Sequence, residues 1–356
     1  MTDTLSPRRF SRRGLLRTGG TAAAGLAVRG NGPVAAQSAT PTAESARAVS
    51  ADAVASAIAK LEPIVIGALA QTGVPGLAVA IVHDDNVVYT NGFGVRSVDA
   101  PDKVDAETVF QLASVSKSLS ATIVAGVVGD GHATWDDHLI DHLGDFQLAD
   151  PWVTRETSIR DCFCHRTGMP GTAGDDLEGL GFDRDEIIHR MRSLNLTGKF
   201  RQTYSYSNFG VTLGAVAAAS AAGKSWEDLA AERLYAPLGM TSTSSRHADF
   251  AARTNRALLH TSVDGKWLQK FTRDADAQSP AGGVSSNVVD LAQWLRLLLG
   301  GGTVDRFTHI AADALAETHV PQIVRGANPA TGATGYYGLG WNIDYDDQGR
   351  IFWDHA

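Results

Sequence analysis

Phe110-Gln111-Leu112-Ala113-Ser114-Val115-Ser116-Lys117 is the stretch on which the reading of this chain turns. It places a hydroxyl and an amine three residues apart at the start of an apolar segment, and residues so spaced are neighbours on one helix face. The free N–H groups of a helix start favour negative charge there, so Ser114 is a candidate nucleophile and Lys117 its candidate base. Ser118 to Val128 continues with small and apolar residues and stops at Gly129-Asp130-Gly131, a glycine-rich helix end. A helix apolar on most faces lies in a core. An ammonium buried there loses proton affinity, which makes a lysine a usable base near neutral pH.

Ser-x-x-Lys alone is weak. With 24 serines and 7 lysines in 356 residues, roughly 0.5 matches arise by chance, and a lone motif is a hypothesis that context must carry.

The length is ample for a large core and suggests about two domain-sized units. Residues 1–36 read as an export signal: Ser11-Arg12-Arg13-Gly14-Leu15-Leu16, a weakly apolar Gly/Ala stretch interrupted by Arg29, and Val34-Ala35-Ala36 as a small-residue cleavage site. The paired arginines point to a twin-arginine route, and hence to a periplasmic, cell-envelope or secreted product. Residues 37–50 read as a flexible linker, and no segment reads as long and apolar enough to span a membrane. Without residues 1–36, which hold six arginines and one aspartate, the formal charge moves from −8 to −13. That disfavours nucleic acid or an anionic membrane as partner.

Cys162 and Cys164 are too close in sequence for an unstrained mutual bridge, and with His165 they do not make a four-ligand zinc site. They read as small buried hydrophobes. His138 and His142 stand four apart among acids, but no His-Glu-x-x-His pattern or third ligand accompanies them, so the run Trp135–Leu143 reads as a solvated surface helix or turn. No metal and no cofactor are expected.

Helical spacing from Ala51 to about Gln71 precedes two β-rich runs, Leu77 to His83 and Val87 to Phe93, joined by the hairpin signal Asp84-Asp85-Asn86. From about 135 to 300 the character is mostly helical. Asn287 with Asp290 marks a late helix start, behind the tight turn Ser279-Pro280-Ala281-Gly282-Gly283. Tyr337 to Ile343 and Arg350 to Trp353 read as two strands around Asp346-Asp347-Gln348-Gly349.

A serine hydrolase needs a proton partner on the opposite wall of its cleft. Tyr206-Ser207-Asn208 is the candidate: it opens a helix expected over 211–219, and a phenoxide stabilised by a nearby ammonium can relay the serine proton. Spacing would also admit Tyr89-Thr90-Asn91, but that lies in an expected strand and reads as structural.

At these residues the chain resembles the class C β-lactamase-like serine hydrolases, with penicillin-binding D-alanyl-D-alanine carboxypeptidases, related esterases and D-amino-acid peptidases. The likeness runs in order through Gly73-Val74-Pro75-Gly76, Gly92-Phe93-Gly94, Phe110 to Lys117, Ser158-Ile159-Arg160-Asp161, His165-Arg166-Thr167-Gly168, Tyr206-Ser207-Asn208, Pro237-Leu238-Gly239-Met240, Ala281-Gly282-Gly283 and Gly338-Leu339-Gly340-Trp341. It implies Ser114, Lys117 and Tyr206 as catalytic residues and Asn208 and His355 as substrate contacts. It also implies an α+β fold over residues 51–356, an antiparallel sheet from both chain ends flanked by helices, with the mostly helical region inserted. His165 is expected to belong to a structural loop. His355-Ala356 matches the first two positions of the family's third motif, whose glycine and later strands would follow, so the chain reads as truncated at its C-terminus. The expected activity is that of an exported serine hydrolase forming a Ser114 acyl-enzyme with a small-molecule or peptide substrate. The alternatives are a β-lactamase proper or a catalytically impaired binding protein for peptidoglycan fragments; oligomeric state is not legible.

Overall fold

The computed structural model describes residues 49–328 and 331–355, which fall in one compact unit, Ala48–Ala356. The expected export signal, nearly all of the linker and Ala356 lie outside the described residues. Helix α1, Ala51–Thr72, is capped by Ser50, whose Oγ accepts from Ala53 N at 3.2 Å, and ends at Gly73 with φ +67. Only Val65 of α1 is buried, while Ile64 and Ile66 are exposed. By length and composition α1 is long enough and apolar enough to cross a membrane, which corrects the reading that no segment is. Val54, Ile58, Leu61, Val65 and Leu69 form the one covered stripe of the helix, and Ile64 and Ile66 lie outside it.

The chain then forms a hairpin of β1 (Gly76–His83) and β2 (Asn86–Ser97), closed by Asp84 and Asp85 at φ 51 and 61. Positive φ at both central residues matches the right-handed twist of the strands. Strand β3 (Ala100–Lys103) adds to the outer edge of β2. Strand β4 (Phe110–Gln111) pairs with Ser285–Ser286 and leads into helix α2 (Val115–Gly129), buried from Ser116 to Val127. The expected core helix is therefore present. It packs against the helix Asn208–Ala221, the turn Ser279–Gly283 and the helix Ala312–Thr318.

Residues 135–300 are mostly helical, as expected, interrupted by the small hairpin Thr261–Val263 with Lys266–Leu268. Trp135 and Leu139 are fully buried, Trp135 edge-on to Phe163 at 5.4 Å, so the Trp135–Leu143 run is anchored in the core while Asp136, Ile140 and Asp141 face water. His142 Nε2 lies 2.9 Å from Asp137 Oδ2. Cys162 and Cys164 are free and fully buried; burial pushes both thiols up, that of Cys164 to about 12.

The final sheet is antiparallel in the order Ile323–Ala327, Thr334–Tyr337, Asn342–Tyr345, Ile351–Asp354. Tyr337 to Ile343 is not one strand. Gly338 N donates to Trp341 O at 2.8 Å and closes a reversal through Gly340 at φ +79, so Tyr337 pairs with Asn342 on the next strand. At Gly340 a Cβ would stand 2.6 Å from Lys117 O, and only glycine combines that φ with that approach. The single sheet expected from both chain ends is instead two antiparallel sheets, of three and four strands, with no ladder joining them among the described residues.

Candidate active site

Ser114 occupies the N-cap position of α2 but makes no side-chain capping bond. An N-cap serine ordinarily gives its oxygen to the N–H of the second or third helical residue; here that oxygen is left for other partners. Ala113, just before it, takes φ +47, a left-handed conformation that costs a non-glycine residue on the order of 1–3 kcal/mol and occurs often at functional sites. The turn aims Ser114 Oγ across α2 toward Tyr206.

Lys117 Nζ is enclosed by three oxygens: Ser114 Oγ at 3.1 Å, Asn208 Oδ1 at 2.8 Å and Ala281 O at 2.8 Å. It also lies 4.7 Å from the Tyr206 ring centroid. The side chain is fully buried, and that burial pushes its amine down to about 7, with Arg273 adding to the effect and Asp175 opposing it. Near neutral pH a substantial fraction of the chains thus carries a free amine next to the Ser114 hydroxyl.

Tyr206 Oη donates to Ser114 Oγ at 2.7 Å. Burial raises its phenol above the ordinary value despite that bond. This corrects the expectation of a stabilised phenoxide: Tyr206 is a neutral phenol at neutral pH, and Lys117 is the group that titrates there. The helix carrying Asn208 runs Asn208–Ala221, capped by Ser207, whose Oγ accepts from Gly210 N at 3.0 Å. It begins earlier than expected because Ser207 caps it and draws Asn208 into its first turn.

His165 pins the same segment twice. Its carbonyl accepts from Ser205 N at 2.8 Å and its Nδ1 from Ser207 N at 3.1 Å, with its ring 4.5 Å from that of Tyr206. Burial holds the imidazole well below its usual pKa, so it is neutral. His355, at the end of the last strand, shares a 2.8 Å hydrogen bond with Tyr337 Oη and lies 6.3 Å, ring to ring, from Tyr206. All five candidate residues, Ser114, Lys117, Tyr206, Asn208 and His355, therefore meet around one centre.

Sequence reasoning passed over Asp175, Arg273, Gln278 and the Ala281 carbonyl. Asp175, Arg273 and Gln278 belong to no motif, and the Ala281-Gly282-Gly283 landmark did not by itself show that its carbonyl would face Lys117; each reaches the site through contacts distant in sequence. A cavity of about 300 Å³ opens at Ser114, lined among others by Gln111, Asn208, Leu259, Arg273 and Gln278. A larger one, about 680 Å³, lies elsewhere, between His142 to Phe146 and Asp183 to Arg192. Of the two, the smaller is the one lined by Ser114, whose hydroxyl meets the Lys117 amine. Among the described residues, no group of three or more His, Cys, Asp or Glu side chains is placed to hold a metal ion.

Known proteins share these features. A solved structure, the octameric penicillin-binding protein homologue from Pyrococcus abyssi, superposes with a TM-score of 0.72 at 22% identity, covering 84% of this chain and 67% of that one; at that identity the likeness establishes the α+β fold. Among curated proteins, the unguisins hydrolase ungD of Aspergillus violaceofuscus is 28% identical over 240 residues, 64% of this chain and 42% of the relative. Penicillin-binding protein 4 of Amycolatopsis lactamdurans is 25% identical over 288 residues, 79% of this chain and 74% of the relative. The chain spans about half the length of the two fungal hydrolases it matches. The family model described as Beta-lactamase matches residues 61–355. With most of its length matched, and Ser114 and Lys117 inside the match, this chain belongs to the β-lactamase family, whose fold is that of serine hydrolases and penicillin-binding proteins.

Proposed function

We propose that this protein is an exported serine hydrolase that cleaves ester, amide or D-amino-acid peptide bonds through an acyl-enzyme on Ser114. The observation that carries this reading is one oxygen, Ser114 Oγ, held between Lys117 Nζ and Tyr206 Oη. Ser114 Oγ attacks the substrate carbonyl and its proton passes to the free amine of Lys117. Tyr206, a neutral phenol, then gives its proton to the leaving oxygen or nitrogen and takes one back from the Lys117 ammonium beside its ring. The Ser114 N–H has no backbone or side-chain acceptor among the described residues and stands at a helix start, where it can donate to the developing oxyanion. Water entering from the cavity attacks the acyl carbonyl and gives one proton to the free amine of Lys117, which returns it to Ser114 Oγ as that oxygen leaves. Asn208 and His355 contact the substrate on either side. Residues 51–356 act as one hydrolase domain, and residues 1–36 supply the export signal. The relative named as a hydrolase supports turnover over mere binding.

The test is hydrolysis of p-nitrophenyl acetate and of a D-alanyl p-nitroanilide by the wild-type protein and by Ser114→Ala. Turnover that Ser114→Ala abolishes supports the reading. Turnover surviving in Ser114→Ala, or none with either substrate from folded protein, rejects it.

A further inference from the structure

The one-turn helix Asp175–Gly179 starts at Gly174, φ +88, where a Cβ would stand 2.6 Å from Phe209 Cδ2. That approach, open to glycine alone, lays the turn against the Asn208–Ala221 helix. It brings both carboxylate oxygens of Asp175 to 3.2 Å from Asn208 Nδ2. A side-chain amide donates at one end and accepts at the other. With its donating end held by Asp175, the Asn208 amide must turn Oδ1 to Lys117 Nζ, 2.8 Å away.

Asp175 is also a carboxyl group without an ion pair: no cation stands within salt-bridge distance of it among the described residues. The facing charges are accounted for. Arg273 is tied at 2.8 Å to Glu178, which also accepts from Gln278. Burial raises the Asp175 carboxyl above its usual value, the Asn208 hydrogen bond, Arg273 and Lys117 oppose that, and the adjoining Asp176 adds to it. Around Lys117 stand Asp175, Arg273, the Tyr206 phenol and the neutral His165. The charge of Asp175 therefore reaches Lys117 through one neutral amide.

We propose that Asp175 is a positioning residue of the active site: through Asn208 it orients the amide that holds Lys117, and its charge sets the pH at which Lys117 becomes a free amine. This rests on the reading of Ser114 and Lys117 as a hydrolytic pair. Two readouts separate the two ideas: the pH profile of kcat/KM for p-nitrophenyl acetate, and the titration midpoint of Lys117 followed by carbon-13 NMR in lysine-labelled protein.

Asp175→Asn removes the charge at nearly constant shape. Both the acidic limb and the Lys117 midpoint are expected to fall by about half a pH unit or more, since a nearby anion favours the ammonium. Asp175→Glu keeps the charge but not the reach, so it should leave the midpoint near wild type while lowering kcat. Asp176→Asn removes an equal charge one residue away and should move neither. An unmoved midpoint in folded Asp175→Asn overturns the proposal, as does an equal shift in Asp176→Asn. If Asp175→Asn does not fold, an unmoved midpoint in Asp175→Ala overturns it, and a lowered one supports it. A lowered midpoint in a protein without turnover upholds the role of Asp175 and rejects the hydrolytic reading alone.

Discussion

Tyr206 Oη and Lys117 Nζ both hydrogen-bond Ser114 Oγ, at 2.7 and 3.1 Å, although 89 residues separate the tyrosine from the lysine in sequence. The two partners are not equivalent. Burial pushes the lysine down to about 7 and the phenol up, so one group is a base near neutral pH and the other a proton donor.

The first consequence is a pH profile. Lys117 must lose its proton to accept that of Ser114, so kcat/KM should fall about tenfold per pH unit below a midpoint near 7. A stopped assay between pH 5 and 9 with a non-ionising ester measures it. A profile flat through that range would show that Lys117 does not titrate in the free enzyme.

Tyr206→Phe removes one hydroxyl and leaves the ring beside Lys117. The expected effect is a loss of about 10²–10⁴ in kcat, the usual size for a positioned proton donor, with stability changed by about 1 kcal/mol for one lost hydrogen bond. Steady-state kinetics and thermal unfolding of the same sample separate the two.

The depressed lysine also bears on folding. Between pH 7 and 10.5 the unfolded lysine binds a proton that the folded one does not. Stability therefore rises with pH through that window, by about 1.4 kcal/mol per pH unit from this group. Urea unfolding of wild type and Lys117→Met at pH 7 and 9 should show the wild type gaining on the variant as pH rises.

How much of this was legible in the sequence depends on distance along the chain. Ser114 and Lys117 share one helix, and Tyr206 and Asn208 open another, so local spacing and motif order point to them. The core helix behind Lys117 was legible because Leu119, Ile123, Val124 and Val127 leave it no polar face. Asp175 was not: it lies 33 residues from Asn208 in an ordinary acidic pair, and only the fold brings the two together. The Tyr337–Ile343 segment misled for a related reason. Its alternation looks like a strand, but Gly340 packs against Lys117 O and accepts from the Ser118 hydroxyl, 222 residues away in sequence, and that contact forces a reversal.

That reversal gives another prediction. Gly340→Ala forces a left-handed residue and a methyl 2.6 Å from Lys117 O. It should destabilise the protein by roughly 1–3 kcal/mol or more, the range for enforced backbone strain, and lower kcat by displacing the helix that carries Lys117. Thermal unfolding and ester hydrolysis measure both effects.

Away from the site, Asp161 is fully buried, with Arg166 Nε at 2.6 Å and Arg201 Nη2 at 2.9 Å, and accepts from the Ser158 backbone in a capping box. Removing it leaves the Ser158 N–H without its acceptor and two arginines, one of them 41% exposed, that water can reach, which costs about 1–3 kcal/mol. Asp161→Ala should lose about that much in denaturant unfolding; a loss under about 1 kcal/mol would mean that water replaces the carboxylate.

The central claim, that Ser114 is a nucleophile activated by Lys117, is tested most directly by intact-protein mass spectrometry after incubation with a fluorophosphonate. The account predicts a single adduct on the wild-type protein, mapped to the Ser114 peptide, absent in Ser114→Ala and formed more slowly below pH 7. No adduct on folded wild-type protein, or an adduct that persists in Ser114→Ala, would contradict it.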